Sequence, residues 1–90
     1  MAESKKKIAK AAEQYARELR EEFSKSEPEV IIGGPDGFDV WIRLLLPAEL
    51  IDESYDEIMD TIVRLDHRYY EETGVSIVTT LAEKEPVTNV

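Results

Sequence analysis

The sequence predicts a small α+β domain, and two observations lead to this fold class. Residues 4–24 and 54–73 carry apolar side chains at helical spacing, whereas three shorter stretches carry β-branched and aromatic residues in runs typical of strands. In chain order the elements are helix, strand, strand, helix, strand, or α-β-β-α-β. Because each helix has one apolar stripe to bury, we expect a two-layer sandwich with both helices on one face of a three-stranded sheet.

The centre of the chain is predicted to be a β-hairpin. Residues 33–37 read Gly-Gly-Pro-Asp-Gly, a concentration of turn-forming residues between two apolar runs. We expect a five-residue loop between a first strand at 29–32 and a second at about 38–46. A glycine-rich loop can also hold a phosphate, but that use needs a helix N-terminus directly after it, and here a strand follows. The pattern therefore favours a structural turn.

The two helices are predicted from their apolar stripes and from their end signals. The first is expected from Ser4, a candidate N-cap, to about Ser24. Its stripe consists of Ile8, Ala12, Tyr15, Leu19 and Phe23. The second is expected to begin at Ser54, which has the capping-box spacing to Glu57, and to stop at Gly74. Its stripe consists of Tyr55, Ile58, Met59, Ile62, Leu65 and Tyr69.

The third strand is expected from Val75 to about Ala82, parallel to the second strand, because a helix connects the two. The order 2-1-3 is favoured, since the run Val30-Ile31-Ile32 has no polar alternation, as is typical of a covered central strand. The order 1-2-3 is the alternative. Alternate residues of the second strand should face the helices, namely Phe38, Val40, Ile42, Leu44 and Leu46.

Length and composition indicate one soluble, globular domain over residues 1–90, with an ordered core at about 5–82 and a tail at 83–90. The 90 residues are 42% hydrophobic and 34% charged, and no apolar run approaches the ~20 residues that span a bilayer. No apolar block follows the basic N-terminus, so we expect no secretory signal. The chain has no cysteine. These features favour a cytoplasmic protein without a membrane partner.

The net charge of −9 argues against nucleic acid as a partner. Residues 1–20 are basic on balance, whereas residues 21–90 carry five basic and seventeen acidic side chains. Most of the chain would therefore repel a phosphate backbone, and the lysines at positions 5–7 and 10 have no aromatic residues among them to stack on bases. We predict no nucleic-acid binding.

No motif predicts catalysis, a cofactor or a metal site. The single histidine, His67, lies one helical turn from Glu71 and two turns from Asp60, but without a cysteine or a second histidine we predict no metal. The acidic residues at 52–60 lie on consecutive turns of a helix rather than in one cleft, which is typical of a solvated face. No nucleophile framework can be assembled from the Ser, Thr and Tyr residues. We lean towards a protein that is not an enzyme.

Two family resemblances follow from the layout of residues 30–86. The strand, Gly-Gly turn, Phe-Asp-Val-Trp-Ile strand, helix and Gly-Val-Ser-Ile-Val-Thr-Thr strand resemble a minimal nucleotidyltransferase domain. That resemblance implies an acidic pair for magnesium on the second strand, and the matching positions hold Asp39 and Trp41, so the pair is lost. The helix-hairpin-helix-strand layout also resembles the cytosolic domain of cation efflux proteins, without its metal-binding histidines.

The second face of the sheet is the candidate functional surface. It is expected to expose a tryptophan and several aliphatic side chains in one patch, which monomers generally avoid. The candidate interface residues are Ile31, Trp41, Arg43, Leu45, Val78 and Thr80. We predict an acidic protein-interaction domain that forms a homodimer through this face. Alternatively, the first helix or the tail covers this face. Two other functions are also considered. One is a degenerate nucleotidyltransferase-like or ligand-binding domain that keeps Asp39, and the other is an acidic regulator that binds a basic protein through its second helix.

Overall fold

The computed structural model describes residues 5–84, and it has the predicted α-β-β-α-β order. The elements are α1 at Lys5–Glu22, β1 at Glu27–Ile32, β2 at Val40–Leu46, α2 at Ala48–Thr73 and β3 at Ile77–Glu83, with a 3-10 turn at Pro35–Gly37. Both helices pack on the same face of a three-stranded sheet, which gives the two-layer α+β sandwich expected from the sequence. The predicted N-cap Ser4 and residues 85–90 of the predicted tail lie outside the described residues.

The strand order is β1-β2-β3, so the favoured order 2-1-3 is wrong and the alternative 1-2-3 is confirmed. β1 pairs with β2 in the antiparallel sense, and β2 pairs with β3 in the parallel sense that was predicted. The apolar run in β1 does not mark a central strand. Val30 and Ile32 are in fact 41% and 52% exposed at the edge of the sheet. β2 is central instead.

The core lies between the helices and one face of β2. From this strand the core takes the fully buried Val40, Ile42, Leu44 and Leu46. α1 buries its predicted stripe, and Phe23 packs against the core just beyond the helix end. α2 buries Ile58, Ile62, Leu65 and Tyr69, whereas Tyr55, which the stripe assigned to the core, is 52% exposed.

The hairpin forms as predicted, but its loop is longer than five residues. The last strand pair is Ile32 with Val40. Within the loop, the backbone N–H groups of Gly33 and Gly34 donate to the carbonyls of Asp39 and Phe38 at 2.8 Å each. The strand predicted to begin at Phe38 therefore begins at Val40. Gly33 and Gly37 have φ values of 84° and 83°, a region that glycine adopts without a steric penalty.

The other element bounds shift by a few residues. β1 begins at Glu27 rather than Glu29 and includes Pro28, which an edge strand tolerates because it needs only one row of ladder hydrogen bonds. α2 begins at Ala48, and Ser54, the predicted cap, has non-helical φ and ψ of −127° and 24° at a kink inside it. Gly74 ends α2 in the left-handed conformation, as predicted, with φ at 77°. Glu83, assigned to the tail, closes β3.

Candidate functional site

The face of the sheet opposite the helices is called the open face here. Its side chains are those that alternate with the core residues of each strand: Glu27, Glu29 and Ile31 from β1, Trp41, Arg43 and Leu45 from β2, and Val78, Thr80 and Ala82 from β3. The strand register sets them in three rows across the sheet. One row is Ile31-Trp41-Val78, the next is Glu29-Arg43-Thr80, and the third is Glu27-Leu45-Ala82. The six candidate interface residues therefore share one surface.

Two side-chain contacts fix the polar groups of the open face. The indole Nε1–H of Trp41 donates to Thr80 Oγ1 at 2.9 Å, across the β2–β3 pair. Arg43 donates to Glu29 Oε1 at 2.8 Å across the β1–β2 pair. Both contacts run from a residue of the central strand to a residue of an edge strand, so they hold the side chains of Trp41 and Arg43 in place. The apolar surface of Trp41 is left half-buried beside Ile31 and Val78.

The charges of the open face balance one another. Besides the pair of Arg43 with Glu29, Lys84 lies 3.4 Å from Glu27 in a second ion pair. Two cations thus meet two carboxylates on this surface, in a chain whose net charge is −9. An uncharged ligand surface, or a second copy of the same face, would meet little net repulsion there.

On the helix-covered side, Tyr15, Asp66 and Thr79 form a buried cluster that joins α1, α2 and β3. The Tyr15 hydroxyl hydrogen-bonds to Asp66 Oδ1 and lies 2.8 Å from Thr79 Oγ1. Thr79 Oγ1 donates to the same Asp66 oxygen at 3.0 Å. Tyr15 is fully buried and Thr79 is 7% exposed. The cluster therefore connects α1, α2 and β3 through one carboxylate oxygen.

Burial dominates the acid–base properties of this cluster. It raises the pKa of Asp66 from its ordinary value of 3.8 to about 6, although the hydrogen bonds from Tyr15 and Thr79 act in the opposite direction. Burial and the nearby Asp66 carboxylate together raise the pKa of the Tyr15 hydroxyl above its ordinary range. A carboxyl group that titrates near neutrality thus sits at the junction of both helices and the sheet.

A second polar cluster ties α1 to the C-terminal half of α2. Tyr69 donates its hydroxyl hydrogen to Glu18, and Arg68 donates to both Glu18 carboxylate oxygens at 2.6 Å. Partial burial would raise the pKa of Glu18, but these hydrogen bonds outweigh it and hold the pKa below its ordinary value. Burial, followed by the bond to Glu18, raises the pKa of Tyr69 to about 12. Tyr69 also meets Tyr15 edge to face, with ring centroids 5.0 Å apart.

Sequence reasoning missed the Tyr15–Asp66–Thr79 cluster, although the sequence contains a signal for it. Asp66 lies four residues after Ile62 and three before Tyr69, which is a core position of the α2 stripe. Thr79 lies between Ile77 and Leu81 on the core face of β3. Polar residues at positions that the periodicity assigns to the core need partners, and three such residues on three elements would have indicated a shared network.

Asp39 and His67, which were considered from the sequence as possible metal-site residues, both make contacts within the fold. Asp39 Oδ2 accepts hydrogen bonds from the Ser76 backbone N–H at 3.1 Å and from the Ser76 hydroxyl at 3.3 Å, which fixes the start of β3 against β2. His67 lies 3.0 Å from Glu71, and Asp60 pairs with Arg64 at 3.4 Å. Within residues 5–84, no three Asp, Glu, His or Cys side chains are grouped closely enough to hold a metal ion.

Two shallow grooves run between α2 and the outer edge of β3. One, of about 400 Å³, is lined by Phe38, Val63, Asp66, His67, Tyr70, Ser76, Ile77 and Val78. The other, of about 480 Å³, is lined by Ile51, Tyr55, Met59 and residues 79–83. Val63 and Tyr70 are 60% and 58% exposed, so α2 presents apolar surface here that the core does not cover.

Comparisons with models of protein families, with curated proteins and with solved structures found no match to this chain. Neither described helix is both long and apolar enough to cross a membrane.

Proposed function

We propose that the domain is a protein-interaction module that self-associates through its open face. The observation that carries the proposal is the one-sided packing of the sheet: both helices cover one face, while the other presents Trp41 flanked by Ile31 and Val78 in one row and Leu45 in a neighbouring row. Contiguous apolar surface with a tryptophan and an arginine at its centre is the composition that protein interfaces favour.

Charge supports a second copy of the chain as the occupant. Two molecules with a net charge of −9 repel each other over most orientations, and the exposed side of α2 is rich in carboxylates. On the open face, the pairs Arg43–Glu29 and Lys84–Glu27 remove the local imbalance. A two-fold axis through this face would bring Trp41 of each copy near the other, because such an axis pairs the same patch on both subunits.

The size of the face bounds the strength of the dimer. Three strands at ~4.8 Å spacing, each about 7 residues long at ~3.3 Å per residue, give a footprint of roughly 300 Å² per copy. This flat projection is smaller than the accessible area that the face can bury, but it is well under the ~800 Å² of accessible surface per partner that stable interfaces bury. We therefore expect a weak, concentration-dependent dimer rather than an obligate one.

Sedimentation over a concentration series tests the proposal. We expect wild type to shift from monomer towards dimer as its concentration rises, and Trp41→Ala to remain folded while its dissociation constant increases by ~30-fold or more, as for a hot-spot residue. Circular dichroism confirms the fold of the variant. Tyr70→Ala is the matched control, since it removes an aromatic ring that is 58% exposed and lies off the open face.

The outcomes of this experiment distinguish the open face from α2 as the dimer interface. A wild type that stays monomeric at the highest concentration refutes the dimer. If Tyr70→Ala weakens the dimer and Trp41→Ala does not, self-association occurs through α2 and the open face is not the interface. An unfolded Trp41→Ala variant would show that the indole stabilises the single chain, and Leu45→Lys on the same face would then carry the test.

A further inference from the structure

The apolar surface of α2 is wider than the core of this domain uses. Ile58, Ile62, Leu65 and Tyr69 form the buried stripe. A second set, Tyr55, Met59, Val63 and Tyr70, lies beside it on the helix, at spacings of four, four and seven residues. Tyr55, Val63 and Tyr70 are all more than half exposed. Met59 is partly buried and packs against the core, whereas the exposed side chains of Tyr55, Val63 and Tyr70 line the two grooves beside β3.

β3 is an edge strand whose outer side has no partner among residues 5–84. On its inner side, the Ser76 carbonyl accepts from Val40 N–H at 3.1 Å, and the Lys84 N–H donates to the Leu46 carbonyl at 2.7 Å. Because successive residues of a strand direct their backbone groups to opposite sides, the even-numbered residues of β3 face β2. The N–H and C=O groups of Ile77, Thr79 and Leu81 therefore point outward, towards the grooves.

The two edges of the sheet differ in how they are protected. β1 contains Pro28, which cannot donate a hydrogen bond, together with the charged Glu27 and Glu29, and such features discourage a further strand. From Ile77 to Ala82, β3 contains neither proline nor a charged residue. An unprotected edge next to an apolar helix stripe provides both contacts that an added strand makes, the backbone ladder and a packed side-chain face.

Charge indicates the chemistry of the segment that fits. Asp66 lines the groove towards the hairpin end, and Glu83 lines the other groove at the far end of β3. Among all the residues that line one groove or the other, His67 is the one with a basic side chain, and it lies 3.0 Å from Glu71. Asp56 lies three residues before Met59 on the exposed side of the same helix. A second copy of β3 would bring a second acidic α2 against this one, which is unfavourable.

We propose that the outer edge of β3 and the second stripe of α2, together called the β3–α2 groove, bind an extended segment of a basic partner protein. The segment adds a fourth strand to the sheet. Its apolar side chains, at alternate positions, pack on Tyr55, Met59 and Val63, and lysine or arginine residues at its ends meet Asp66 and Glu83.

Titration with synthetic peptides, followed by amide chemical shifts and hydrogen exchange, tests the groove. The probe is a seven-residue alternating peptide, matched to the seven residues of β3, with lysine at positions 1 and 7, valine at positions 3 and 5 and threonine at positions 2, 4 and 6, so that the lysines and valines share the face towards α2. We expect it to shift the amides of β3 and to slow exchange at Ile77, Thr79 and Leu81 by ~10-fold or more, since these amides gain hydrogen bonds. Two control peptides replace lysine by glutamate, or group the valines in one block, and neither should bind.

Paired variants place the binding site. Val63→Lys puts a cation into the second stripe at a position 60% exposed, and we expect it to weaken peptide binding by ~10-fold or more. Val30→Lys makes the same change at a position 41% exposed on the opposite edge, and should leave binding unchanged. No shift at about 1 mM of the alternating peptide, a concentration that detects even weak binding, overturns the proposal.

Other outcomes identify other occupants and also overturn it. Binding that is lost in Val30→Lys and retained in Val63→Lys would place the peptide on β1. If the outward amides of β3 are already protected in wild type and lose protection on dilution or in Val63→Lys, a second copy occupies the groove. The proposed dimer through the open face is tested separately by Trp41→Ala, so the two ideas can fail independently.

Discussion

Replacing Asp66 by asparagine should remove a pH dependence of stability that the buried cluster creates. When Asp66 is ionised, the cluster has two hydroxyl hydrogens, from Tyr15 and Thr79, for three oxygen–oxygen contacts. The hydrogen bonds from Tyr15 and Thr79 favour the ionised carboxyl, but burial disfavours its charge more strongly. The folded chain therefore holds the proton of Asp66 more tightly than the unfolded chain does, with a pKa of about 6.

The sign of the effect follows from linkage. Between the ordinary pKa of 3.8 and the folded pKa of about 6, the folded state binds more protons at Asp66 than the unfolded state. The contribution of Asp66 to the free energy of unfolding therefore falls as the pH rises through this window and is level above it. For a fully buried group the shift would correspond to ~3 kcal/mol. Because Asp66 is only partly buried, we expect roughly 1–2 kcal/mol after solvent screening.

Urea or thermal unfolding of wild type and Asp66→Asn between about pH 4 and pH 7 measures this contribution. Asparagine keeps an Oδ1 that accepts from Tyr15 and Thr79, so we expect the variant to gain roughly 1–2 kcal/mol relative to wild type from the acid end to the neutral end. Glu18, whose pKa is lowered, acts in the opposite direction, but it is present in both proteins and cancels in the difference.

Asp60→Asn is the matched control, because Asp60 lies on the same helix with 73% of its side chain exposed. Its difference from wild type should vary by less than ~0.5 kcal/mol over the same pH range. A flat difference for Asp66→Asn, or one of the opposite sign, would show that the hydrogen bonds from Tyr15 and Thr79 offset burial and that the folded state does not favour the protonated carboxyl.

Two further substitutions test the fold. Ile42→Ala should lower the free energy of unfolding by about 2–5 kcal/mol, since Ile42 is fully buried in the central strand, and a loss below ~0.5 kcal/mol in a denaturant titration would place it on the wrong face. Gly74→Ala should cost about 1–2 kcal/mol in the same measurement, because an L-residue is strained at φ of 77°, and an unchanged stability would argue against this helix end.

The elements that sequence reasoning placed well are those with a local cause. The α1 stripe, the hairpin glycines and the end of α2 at Gly74 each follow from short-range sterics or from helical period, and each is found in the structure. The same holds for the two faces of β2, where alternation alone separated Ile42 from Trp41. Residue spacing is sufficient to predict which face of a helix or strand is buried when that face depends only on the element's own sequence.

The features that it did not place depend on contacts between distant residues. The strand order was missed because an all-apolar run can occur both in a central strand and in an edge strand next to a loop. Val30 and Ile32 lie in an edge strand. The cluster of Tyr15, Asp66 and Thr79 joins residues separated by up to 64 positions. Its members could be marked as polar residues at core positions, but their meeting depends on how α1 and α2 lie on the sheet.

The widths of the two layers explain why apolar surface is left over at one edge. Two packed helices cover about 20 Å, since each is ~10 Å across, whereas three strands at ~4.8 Å spacing cover about 14 Å. α1 lies over β1, and α2 lies over β3, so the excess width appears as the second stripe of α2 beyond the β3 edge. The difference of ~6 Å is close to the ~4.8 Å that one further strand would occupy. A fourth strand in the β3–α2 groove would match the two layers and would also widen the open face by a third, so the two proposed surfaces belong to one sheet.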